Sequence, residues 1–579
     1  MPSGGAGLTD ESLQVADFAS SRRNITALAE GPFTLLNDAP LTTTLSVPWE
    51  RLARGPTGGR FSTHIGGEDG PKGRPLILDS EFEDVAYNDR PCPADLEQLL
   101  GDRKFLAQHA YAVAAATLSL FESTMGRRLG WKWRGHRLSL ELFEPISYEE
   151  SGYDGQRGVI RFGHRHDSRA RKHVPLALYR DVVTHEVTHA IVDGYRPHLA
   201  DPDGTFDEHA IHESMADVVA MLSVFSSTER VVEQLQATLS ATDGLDENDD
   251  ALLQSGLFGI ADGLFTHIDR GRPSLQDPDA AEGASSPSHP ALRRVVPAGT
   301  PDGWRSITEP HQRGSVFTNA LMDAVLVLWK ARMNRPGGRS SEYQIAQSGS
   351  KVGRQMLAML IRGLGYTPPI DVTFEDLLRG ILAADLVVMP DDSMDYRGVV
   401  REAFSPAGIG TVADDELDGL EGLRDLRYPV RLSALASDPE EVYRFLWENP
   451  AILRAAAIDP DVPLLVERVR PSLRVAPDGF VVSEIGASFV QQVPMSAHDA
   501  RNRLGLRTKE PVVLRGGGLI RFNEGGRLAF AALKPVLDAE RQQQRLDDAA
   551  GPSVLGMAEP EVAKRRAAVF GYMHGPAGS

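Results

Sequence analysis

The run Asp181-Val-Val-Thr-His185-Glu186-Val-Thr-His189-Ala-Ile-Val-Asp193-Gly194 constrains this chain more than any other stretch. Val182, Val183, Val187, Ile191 and Val192 recur at helical spacing, and Gly194 reads as a stop. A helix turns about 100° per residue, so His185 and His189, four positions apart, share one face. Glu186 lies roughly a quarter-turn away, at the edge of that face. Two imidazoles so placed suit a Zn²⁺ ion, and a carboxylate beside them is positioned to take a proton from a metal-bound water.

A zinc centre that keeps one position open for water needs a third protein ligand. The next helical stretch offers Glu213, with Asp217 four residues on and therefore on the same face. Ile211, Met215, Val218, Val219 and Leu222 suit a helix buried along one side. A carboxylate one turn beyond a ligand can accept the free N–H of a ligating histidine and fix its tautomer.

His185-Glu186-x-x-His189 followed by Glu213-x-x-x-Asp217 resembles the thermolysin-like zinc metallopeptidases, or gluzincins. By that resemblance His185, His189 and Glu213 are the zinc ligands, Glu186 is the general base and Asp217 supports a ligating histidine. His311-Gln-Arg313-Gly314 resembles the segment whose histidine stabilises the tetrahedral intermediate, and the stretch around Arg305 resembles the one carrying a substrate-carbonyl arginine. Tyr153 through Phe162 is similar to the edge strand along which that family lays its peptide, and Thr373 through Gly408 to its last helices. The likeness covers about residues 76 to 410. It implies an α+β fold: a two-lobed, thermolysin-like zincin catalytic domain.

The departures have consequences. Asp181 matches the first carboxylate of the family's calcium cluster, but Val224 stands where a glutamate belongs. Calcium takes about six or more oxygen ligands, so the calcium site is left short. His212 replaces the asparagine before the third ligand, and Ser306 stands where an aspartate would orient His311; the nearest acids are Asp302 and Glu309.

The 579 residues suffice for about three to four domains. A net charge of −19 argues against a coat for nucleic acid or for an anionic membrane. The single cysteine, Cys92, excludes an intrachain disulfide, and the start shows neither a basic nor an apolar signal region. A cytoplasmic location follows by default, with a non-classical export route as the alternative. The composition divides into an N-terminal extension (1–75), a sheet-bearing catalytic lobe ending with the histidine helix (76–195), a helical catalytic lobe (196–410), and a linker with a small C-terminal α+β accessory domain (411–579).

Alternation predicts strands at 137–143 and 156–162, and an Ala/Leu-rich run predicts a helix over 105–125. His164-Arg-His166 reads as a polar loop, as do His198 and His209. Helices are expected at 316–333, 343–364, 374–386 and 396–404, and hairpins around Pro477-Asp-Gly479 and Gly525-Gly526. The acidic run 243–250 and the segment 277–303 read as surface loops.

The expected function is hydrolysis of a peptide or protein substrate by a zinc-activated water, with His311 on the oxyanion and Arg305 and Tyr153 binding substrate. Two alternatives stand beside it: a non-catalytic zinc-containing scaffold, and a latent protease activated by processing or by a partner.

Overall fold

The computed structural model describes residues 22–36, 39–53, 56–65, 90–133, 135–142, 151–167, 172–201, 204–239, 259–260, 293–294, 303–333, 341–410, 412–423, 426, 434–435, 438–475 and 481–550. The chain is mixed α+β. Its contacts divide it into two compact units: 1–120, 134–187 and 261–292 form one, and 121–133, 188–260 and 293–579 the other. The division passes through the continuous histidine helix, Arg180–Tyr195, between Val187 and Thr188.

The first unit holds an antiparallel pair, Arg22–Leu28 with Thr42–Pro48, in which Ile25 faces Leu45. It also holds a four-stranded sheet in the order Phe61–Ile65, Leu138–Leu142, Val159–Phe162, Ser151–Asp154. The first two pairings are parallel and the last antiparallel. Leu138, Leu140 and Leu142 are fully buried, because a period of two sends them all to one face. Helix Arg103–Met125 packs there through Tyr111, which meets Phe61 edge to face at 6.4 Å. His109 on that helix accepts the Leu28 N–H at Nδ1, at 3.1 Å. Burial, reinforced by Arg180, pushes His109 down to about 3, so it stays neutral and able to accept.

The strands expected at 137–143 and 156–162 are present in shortened form. The sheet's first strand, Phe61–Ile65, lies within the stretch read as an N-terminal extension. Its partner is more than seventy residues away, so no local pattern announces the pairing. His164–Asp167 is not a loop: it pairs with Lys172–Pro175, setting His166 opposite His173. Four polar residues carry too little alternation to read as a strand; the partner strand imposes it. His209 also departs from the loop reading and lies in helix Phe206–Leu222. The acidic run 243–250, the segment 277–303 apart from Arg293, Arg294 and Gly303, and the first 21 residues lie outside the described residues.

In the second unit, capping boxes open three helices. Thr205 with Glu208 opens Phe206–Leu222, Ser341 with Gln344 opens Glu342–Gly363, and Thr373 with Asp376 opens Phe374–Val388. Helices Pro310–Met333 and Tyr396–Phe404 complete this layer. Beyond it lies an antiparallel meander: Leu464–Val475, Val481–Met495, Val512–Asn523 and Leu528–Lys534. Both expected hairpins are its turns. Helix Pro439–Glu448 covers one face, with Phe445 edge-on to Phe522 at 4.8 Å.

Two glycines set close approaches. Gly194 does not end the histidine helix, which runs on to Tyr195; a Cβ there would strike the Gly130 carbonyl. Gly314, in helix Pro310–Met333, faces helix Phe206–Leu222 so closely that a Cβ would stand 2.8 Å from the Ala210 carbonyl oxygen and 3.5 Å from Glu213 Cβ. The obstacle is backbone and cannot rotate away. Gly314→Val is therefore expected to destabilise the chain by about 1–3 kcal/mol, the usual cost of overpacking. A urea melt checks this, and an unchanged midpoint refutes the close approach.

Candidate metal centre

The histidine helix places His185 and His189 one turn apart, 6% and 0% exposed, with Glu186 beside them at 6%. Helix Phe206–Leu222 is buried from Asp207 to Leu222, and Glu213 is wholly enclosed. One ligand atom from each of His185, His189 and Glu213 lies within 4.8 Å of the others. His189 Nε2 stands 3.6 Å from Glu213 Oε2. Two ligands about 2.0–2.1 Å from one tetrahedral ion lie roughly 3.4 Å apart, so this edge has the length a shared ion requires. Two imidazoles and one carboxylate are also a donor set suited to a divalent ion.

The other ring nitrogen of His189 is engaged as well. Nδ1 lies 3.1 Å from His212 Nδ1, and the rings stack at 4.5 Å. If Nε2 offers its lone pair to a metal, Nδ1 must carry the proton and donate it to His212. His212 must then hold its own proton on Nε2. In that case His212 would fix the tautomer of His189. Asp217, read from sequence as the supporting acid, is buried one turn beyond Glu213.

His311 sits in the first turn of helix Pro310–Met333, with Nδ1 2.8 Å from Glu213 Oε2. The carboxylate nearest that ring nitrogen is thus Glu213, while Asp302 lies outside the described residues. Glu309 instead accepts the backbone N–H groups of His311 and Gln312, at 3.1 and 2.6 Å. Sequence spacing cannot find this partner, because the two residues are almost a hundred positions apart and meet only through helix packing.

Arg313 locks that packing. Its Nε donates to Asp207 at 2.7 Å, and its Nη1 to the carbonyls of Arg305 and Ile307 at 2.6 and 2.9 Å. Arg305 donates to Glu375 at 2.9 Å and to the Gly408 carbonyl at 3.0 Å, with its guanidinium over the Trp304 ring. Both bonds leave from Nη2, and a guanidinium carries five N–H donors, so a substrate carbonyl need displace neither acceptor. Tyr153 lies in the edge strand of the first unit's sheet, and the whole residue is only 5% exposed, so its ring is not presented to a substrate.

No protein-family model matches the chain, and no curated protein matches it. Among the described residues no helix is long and apolar enough to cross a membrane.

If His212 holds His189 in its ligating tautomer, His212→Ala should weaken zinc affinity by about 10–100-fold, the usual effect of removing such a partner. Competition against a chromophoric chelator measures this. Unaltered affinity would rule the partnership out.

Proposed function

We propose that the chain is a zinc-dependent metalloendopeptidase of thermolysin-like chemistry. The observation that carries this reading is the convergence of His185, His189 and Glu213 from two buried helices, with Glu186 next to the first histidine. A structural zinc site closes with four protein ligands; three ligands and an adjacent carboxylate match a catalytic one.

When bound, zinc polarises the scissile carbonyl and lowers the pKa of water to about 7. The chain's own groups do the rest. Glu186 accepts the proton of the attacking water and returns it to the leaving amine nitrogen, so the C–O bond forms as the C–N bond breaks. His311 Nδ1 stands 2.8 Å from Glu213 Oε2, an ion-pair contact when the ring is protonated; in that form Nε2–H is a donor for the developing oxyanion. Its side chain keeps 22% of its surface exposed, enough to meet substrate. Arg305, held through Nη2 by Glu375 and the Gly408 carbonyl, would donate to a substrate carbonyl from Nη1 or Nε.

Glu186→Gln should keep its zinc while losing about 10²–10⁴-fold in kcat on a fluorogenic peptide. Undiminished turnover would remove Glu186 as the base, and a wild-type chain that cleaves nothing with zinc bound would favour the scaffold reading. His311→Ala should lower kcat by about 10²–10³-fold with zinc retained. If zinc is lost as well, the residue works by positioning Glu213.

A further inference from the structure

A second polar centre lies within the second unit, where the C-terminal meander meets the end of the histidine helix. A pocket there is lined by Arg127, Arg362, Arg470, Arg474 and Arg521, with Tyr195, Tyr366, Met125, Gly365 and Ser472. The five arginines come from separated stretches of sequence, and no carboxylate is among the lining residues. This is a concentration of positive charge in a chain whose net charge is −19. Like charges held together repel, and burial raises the cost, so such a cluster persists where a counter-charge offsets it.

The protein supplies part of that counter-charge. Glu484, 3% exposed, pairs with Arg474 and accepts from Arg521 at 3.0 Å, and the Tyr366 hydroxyl donates to it at 2.7 Å. Arg470 donates to the Tyr195 carbonyl, Arg362 to that of Thr124 and Arg521 also to that of Gly365. Those carbonyls satisfy N–H groups but neutralise no charge. Arg474 and Arg521 are 4% and 5% exposed, and the Nε of each is buried without a hydrogen-bond partner among the described residues, as is Arg127 Nη1. Three unmet donors thus belong to side chains lining one pocket.

Tyr195 registers the resulting field. Burial would raise its phenol, yet Arg470, Arg196, Arg521 and Arg127 together bring it down to about 7. Arg470 lies over its ring at 4.1 Å. Burial and the neighbouring Arg470 likewise lower Arg196, to about 9.

We propose that this pocket binds a phosphate group, held by the guanidinium groups of Arg127, Arg362, Arg474 and Arg521. Guanidinium forks match tetrahedral oxyanions in shape and charge, and a dianion offsets more of this cluster than a carboxylate would. The pocket is small: about 20 Å³ accepts the centre of a water-sized group, just above the roughly 10–15 Å³ one water needs, within an open cleft of about 310 Å³. The enclosed part holds about one water, so the phosphoryl group sits at the open mouth, where the guanidinium groups reach it. Because Tyr195 ends the helix that carries His185 and His189, occupancy would tie the meander to that helix. The proposal does not depend on the metal reading.

The test uses the full chain in phosphate-free buffer, with metal content checked before and after. Thermal unfolding and calorimetry are run with inorganic phosphate, pyrophosphate and a sugar phosphate, against sodium chloride and acetate at matched ionic strength. A saturable rise in Tm of at least about 3 °C with one or more phosphates, absent with chloride and acetate, is expected. Inorganic phosphate or pyrophosphate performing best would identify an inorganic ligand, and the sugar phosphate performing best a phosphoester. Arg127→Gln and Arg362→Gln leave the Glu484 pairs intact. Each should weaken phosphate binding at least tenfold without lowering the unliganded Tm. The proposal is overturned if phosphates do no more than chloride, if acetate equals them, or if both variants retain the full phosphate-induced shift.

Discussion

A carboxylate with no exposed surface must be met by positive charge or by a metal, or else take up a proton, and Glu213 is such a group. Burying an isolated charge costs far more than a folded chain can spare. Around it stand His189 at 3.6 Å and His311 at 2.8 Å, each from a different helix. The surrounding packing follows from that need. Helix Phe206–Leu222 is buried over almost its whole length, so Glu213 has no route to water except through the site. His212, the next residue back, turns to the far nitrogen of His189. The centre is therefore a chain of imidazoles and one carboxylate, each group restricting the tautomer or orientation of its neighbour.

Two features hold that chain in register. At Gly314 two helices come nearer than a side chain would allow. At Arg313, one residue away, a guanidinium spans from the start of helix Phe206–Leu222 to the carbonyls leading into helix Pro310–Met333. The absent side chain and the long one act together: the first permits the approach, the second sets its angle. This explains why His311 can face Glu213 while Glu309, two residues before it, is engaged with backbone N–H groups.

The histidine helix also reaches toward a second centre of opposite character. His189 belongs to a site organised around a buried carboxylate. Tyr195, less than two turns further on, lies among five arginines that Glu484, with Glu467 near Arg470 and Asp385 near Arg362, only partly offsets. The arginines reach this point from the end of helix Arg103–Met125, from helix Glu342–Gly363 and from two strands of the meander. The C-terminal segment thus shares its polar contacts with the helical layer of the same unit. Gly365 and Tyr366 bond to Arg521 and Glu484 across that junction.

Much of this was legible in sequence. Periodicity located the long helices, because apolar stripes repeat every three or four residues. Proline and glycine dipeptides located the hairpins. The spacing of His185 and His189 placed both rings on one helical face, since that relation lies within a single element. Tertiary structure alone decided what joins elements distant in the chain. It brought Glu213 to His189, put His311 on Glu213 and His212 on His189, paired Phe61–Ile65 with Leu138–Leu142, and gathered five arginines round Tyr195. Local propensity governs the geometry of a few consecutive turns, whereas which buried charges meet is settled only when helices and strands pack and exclude water.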